Sequence, residues 1–163
     1  MTGITCGVRR ATCYVRDVRR ATCYVLALLA VACGVKADGP PEILVDRTPC
    51  AHCGMLVSEP AFAAAYRRDG SEARIFDDIG CLLNAISTEA NPERLRFWFH
   101  DAGTAVWIDR TEAVFVRSAR LRTPMSGGIV AYGGHAAAEK GAADPAAVVI
   151  GSFDQVLMNQ RPR

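Results

Sequence analysis

Between residues 55 and 160 the chain never keeps one hydrophobic period for long. Short apolar runs, rich in β-branched and aromatic residues, are cut by turn-forming pairs, and three times they give way to a helical stretch. The spacing predicts strands at 55–57, 62–67 and 73–76, with Ser58-Glu59-Pro60 and Asp69-Gly70 as turns. "DDIGCLLNAISTEANPERL" then predicts a helix, with Asp77 or Asp78 as N-cap, Ile79, Leu82, Leu83 and Ile86 on one face, and Asn91-Pro92 as the stop. "RFWFHD", "AVWID" and "AVFVRS" read as consecutive strands. A Gly-rich loop, "TPMSGG", leads into a strand at 129–132. A short helix in "HAAAEKGAA" and a strand and helix in "AVVIGSFDQVLMNQ" follow. Strands then a helix, twice over, is the pattern of an α+β fold with two small, related ββαβ-like halves.

Bulk properties exclude more than they assign. Half of the 163 residues are hydrophobic, enough to bury a core. No stretch approaches the roughly 20 apolar residues of a spanning helix. A net charge of +2, with no basic stripe interleaved with aromatics, argues against a nucleic-acid partner.

The N-terminus reads as a targeting segment rather than as fold. "VRRATCYV" occurs at 8–15 and again at 18–25, a ten-residue period too short for a solenoid. Arg19 and Arg20 precede an apolar run, and Ala30-Val31-Ala32-Cys33 supplies small residues for a peptidase. The cysteine directly after them resembles a bacterial lipobox, with Ala30 where leucine is usual. That resemblance implies cleavage before Cys33 and lipidation of its thiol. The expected organisation is a signal peptide at 1–33, a Gly/Pro-bearing tether at 34–48 and a folded domain at 49–163. Processing would remove Cys6, Cys13 and Cys23 and consume Cys33. Cys50, Cys53 and Cys81 would remain, an odd number in an exported chain, which points to thiol chemistry rather than a closed disulfide framework.

Soft donors gather at two places: Cys50, Cys53 and Met55 in "CAHCGM", and Met125 in "TPMSGG". Three chemistries compete. A structural zinc site wants four ligands, commonly a second pair at similar spacing, and no second CxxC or HxxxH is present. The alternative function is an envelope thiol–disulfide protein using Cys50 and Cys53, although such a pair usually opens a helix and "CGMLVSEP" runs into a turn. Cu(I) accepts thiolate and thioether ligands at low coordination number, and cysteine with methionine suits it.

The order "CAHCGMLV", "FAAAYRRDG", "FDDIGCL", "TPMSGGIVAY" and "GSFDQVL" is similar to the NosL family, copper-binding lipoproteins that help mature nitrous oxide reductase. The resemblance runs from about residue 49 to 157. It implies an α+β fold of two ββαβ-like halves similar to that of the mercury lyase MerB. It implies a Cu(I) metallochaperone rather than an enzyme, facing the periplasm. The implied partners are nitrous oxide reductase or another cuproenzyme, an ABC-type maturation complex and, through the lipid, a membrane. By motif, Cys53, Met55 and Met125 would be the copper donors, with Cys50 as a second thiolate.

Other polar residues have simpler readings. Asp77-Asp78 reads as a helix cap, Cys81 as a small buried hydrophobe, and His52 and His100 as surface groups. His135 lies just past Gly133-Gly134 without a ligand motif. Arg117, Arg120 and Arg122 could face an acidic partner or water.

Overall fold

A computed structural model describes residues 39–160 of the protein. The expected signal peptide at 1–33, Cys33 included, lies outside the described residues, as does the start of the tether.

The strand–helix alternation becomes two halves of the same design. The first comprises β1 (Ala64–Arg68), β2 (Arg74–Phe76), α1 (Ile79–Ile86) and β3 (Leu95–His100), with β4 (Trp107–Asp109) added at the edge. The second comprises β5 (Ala113–Arg117), β6 (Ile129–Gly133), α2 (His135–Gly141) and β7 (Val148–Gly151), followed by α3 (Phe153–Gln160). The sheets are ordered β2-β1-β3-β4 and β6-β5-β7, every pairing antiparallel. In each half the first strand is central, the second forms a hairpin with it, and the third returns from a helix to its other side. The expected α+β architecture of two ββαβ units is therefore present. Among the described residues no helix is long and apolar enough to cross a membrane.

The strand expected at 62–67 begins two residues later: Pro60–Phe62 form a short 3-10 turn, and β1 starts at Ala64, with Ala64 and Ala65 fully buried between β2 and β3. Residues 55–57, expected as strand, form only an isolated antiparallel bridge, Pro49 to Leu56. Gly54, at φ +80, turns the chain back at once, and the exposed Met55 and Leu56 have no sheet to extend. The first helix stops at Ile86, short of Asn91. Ser87 and Thr88 turn their hydroxyls onto the carbonyls of Asn84 and Ala85, a local alternative to further helix. His100 is not a surface group. It is buried, its Nδ1 bonded to the Pro60 carbonyl oxygen and its ring edge-on to Trp107 at 3.9 Å.

One aromatic core joins the two halves. Phe153, at the start of α3, is fully buried, with ring centroids 4.9 Å from both Phe97 and Phe99 and 5.6 Å from Phe115. It thus touches β3 of one sheet and β5 of the other. Residues 41–48 are held to this domain: the Trp107 indole N–H donates to the Pro41 carbonyl at 2.9 Å, and Val57 N–H donates to Thr48 O at 2.9 Å. Truncating a buried phenylalanine typically costs about 3–5 kcal/mol. Phe153→Ala should lower stability by that amount in urea unfolding and keep a single transition for both halves. Two separated transitions would show that the halves do not share this core.

Candidate metal centre

The "CAHC" turn is built by backbone bonds. Gly54 N–H donates to Cys50 O at 3.0 Å, and Cys50 N–H donates to Met55 O at 2.7 Å. Two further bonds seat the turn on the free edge of β2: Ala51 N–H to Ile75 O at 2.7 Å, and Arg74 Nη2 to Ala51 O at 3.1 Å. Arg74 is itself fixed by Glu89, Nη1 to Oε1 at 3.0 Å. Because β2 runs straight into α1, the turn lies beside Asp77 and Cys81.

Four donor atoms converge there. The sulfurs of Cys50, Cys53 and Cys81 and a carboxylate oxygen of Asp77 all lie within 4.8 Å of one another. All three thiols are free; Cys50 and Cys81 are buried and Cys53 is exposed. The Cys53 thiol faces the Asp77 carboxylate, Sγ 3.8 Å from Oδ2 and 3.9 Å from Oδ1. Burial pushes the Cys50 thiol above its ordinary value; the backbone N–H of Cys53 opposes this and the Asp77 carboxylate adds to it. Burial likewise raises Cys81 strongly, and negative charge on Cys50 and Asp77 raises it further. Both buried thiols therefore keep their protons at neutral pH until a cation replaces them.

The paired aspartates divide the work. Asp78 is the N-cap of α1, Oδ1 accepting from Gly80 N–H, while its Oδ2 accepts from Met125 N–H at 3.2 Å. One carboxylate thus caps a helix of the first half and holds the "TPMSGG" loop of the second. The approach is close enough to require glycine: a Cβ on Gly127 would stand 2.5 Å from Asp78 Oδ1 and 3.2 Å from Gly80 Cα. Asp77 takes no part in the cap and turns to the thiols.

A cavity of about 310 Å³ opens over the cluster, with Cys53, Cys81, His52, Asn84, Met125 and Gly127 among its lining. Of the residues expected from sequence, Cys50 and Cys53 are brought together and Met125 shares the cavity with Cys53. Met55 is 54% exposed and does not line it. His135 starts α2 with an exposed side chain and is absent from the cluster. Cys81 and Asp77, read from sequence as a hydrophobe and a cap, belong to the donor set. Their signals were present: a cap needs one aspartate, so the second lacked a local role, and an odd cysteine lay one helical turn beyond it.

The donor set fits a thiophilic cation: three thiols supply the soft ligands, and the Asp77 carboxylate adds negative charge that favours a cation beside them. Fold and site together define an α+β domain with a thiol-rich centre able to hold a metal ion. The NosL family profile matches residues 41–159, most of the chain, and the protein belongs to that family. Comparison with individual curated proteins returned no match.

Exposure ranks the thiols by reactivity. Limiting iodoacetamide at neutral pH should alkylate Cys53 before Cys50 and Cys81, the latter two reacting only on unfolding. Peptide mapping would read this, and equal labelling of all three would contradict the geometry.

Proposed function

We propose that the protein is a Cu(I) carrier of the cell envelope, not an enzyme, which takes up copper at Cys50, Cys53 and Cys81 and passes it on by ligand exchange. The observation that carries this reading is the convergence of three thiols and the Met125 cavity in a member of the NosL family. In it, Cys53 is the accessible sulfur and the first ligand met by incoming copper. Met125, which lines the cavity, lends a thioether, and the Asp77 carboxylate adds negative charge that attracts the cation. Met55 is exposed on the same turn, where its thioether is open to incoming metal. Nitrous oxide reductase or another cuproenzyme would receive the metal, with an ABC-type maturation complex on the route. A lipid on Cys33 would tether the domain to the periplasmic side of a membrane.

A second reading has its own support. Three cysteines and one aspartate make up the donor number of a tetrahedral zinc site, so a zinc-stabilised domain competes with the copper carrier. The thiol–disulfide alternative is less well supported. The Cys50/Cys53 turn does not open a helix, and burial raises the Cys50 thiol instead of activating it.

Anaerobic titration of the reduced protein against a coloured Cu(I) chelator, with Zn(II) in parallel, separates the readings. The carrier takes one Cu(I) per chain from the chelator and is weakened by Cys53→Ser and by Cys81→Ser. Zinc retention without copper retention would overturn it. Because protons must leave two thiols of raised pKa, apparent copper affinity should rise between pH 6 and pH 8, by up to about tenfold per pH unit for each proton released. A flat profile would mean that the buried thiols are not ligands.

A further inference from the structure

A concavity distinct from the metal cavity lies at the loop joining β5 to β6. About 610 Å³ in volume, it is lined by Arg117, Arg120 and Arg122 together with Ser118, Thr123 and Ser126. The chain as a whole is nearly neutral, so three arginines within six residues form a local concentration of charge. One carboxylate already sits at this edge. Asp144 accepts from Ser118 Oγ at 2.8 Å and from Ala146 N–H at 3.0 Å, and lies 3.3 Å from Arg120 Nη1. It engages one guanidinium of the three. Among the described residues Arg117 and Arg122 have no ion-pair partner, and Arg122 is exposed.

The loop that walls this cavity also carries Met125, and Gly127 lines both the arginine cavity and the metal cavity. Whatever seats on the arginines therefore lies against the loop that faces Cys53 and Cys81.

We propose that the Arg117/Arg120/Arg122 cavity is a docking site for a carboxylate-rich segment of the protein that exchanges metal with this chain, held there beside Met125 and Cys53. The proposal rests on the copper-carrier reading for the identity of the exchange partner, but the docking itself does not require metal. Guanidinium groups favour carboxylates geometrically, and charge complementarity at a site of transfer acts mainly on the rate of encounter.

Two synthetic peptides test it on the full chain: one of alternating aspartate and glutamine with a central methionine, the other with every aspartate replaced by glutamine. The acidic peptide should draw Cu(I) from the loaded protein at least about tenfold faster at low salt. The advantage should vanish at high salt, and in Arg122→Ser and Arg117→Ser/Arg122→Ser. The single exchange, at an exposed side chain, keeps the test decisive if the double variant does not fold. Equal rates for the two peptides, or an advantage that survives Arg122→Ser, would overturn the proposal. Anisotropy of the labelled acidic peptide with metal-free chain reads docking separately, so binding there without any Cu(I) uptake would sink the carrier reading and leave the docking site standing. Displacement of the peptide by an equal charge of inorganic phosphate, or binding to phosphatidylglycerol vesicles without binding to the peptide, would overturn it in favour of a small-anion or membrane site.

Discussion

The Asp78 carboxylate is the interaction on which the site depends. It caps α1, which carries Cys81, and it holds the backbone of Met125 on the loop from the other half. Two glycines, Gly80 and Gly127, permit this contact because no side chain would fit between them. Losing an N-cap typically costs about 1 kcal/mol of helix stability. Here the other oxygen of the same carboxylate also ties the thiol-bearing helix to the thioether-bearing loop. The aromatic core around Phe153 keeps the two sheets in register for this, and the turn bearing Cys50 and Cys53 is then added from the edge of β2.

The site is graded from inside to outside. Cys50 and Cys81 are buried and hold their protons; Cys53 is exposed and lies in a cavity shared with Met125. A rigid, fully enclosed set of ligands would favour retention. An arrangement with an accessible thiol and a neighbouring thioether allows one ligand at a time to be replaced. That physical character suits the proposed carrier better than a permanent structural metal, although the donor count alone would serve zinc.

Much of the fold was legible because it is written in local periodicity. The change from strand-like to helical patterning, twice, gave both ββαβ units, and Asp69-Gly70 marked the first hairpin. What local pattern could not show was exposure. Met55 and Leu56 looked like a strand but had no neighbouring sheet, and His100 looked peripheral but is covered by Trp107 and the Pro60 carbonyl. The same limit applied at the centre. Cys50, Cys53 and Met125 were visible as soft donors in glycine-flanked loops. Cys81 and Asp77 sit where a helix has its own uses for a small apolar residue and a carboxylate, so only their convergence in space marks them as donors.

The most direct test of the account is X-ray absorption at the copper edge of the Cu(I)-loaded protein, wild type beside Cys81→Ser. The buried-thiol centre predicts a sulfur shell that loses one neighbour in the variant. A shell unchanged by Cys81→Ser, or one built mainly from nitrogen, would place copper elsewhere and contradict the assignment of Cys50, Cys53 and Cys81 as its ligands.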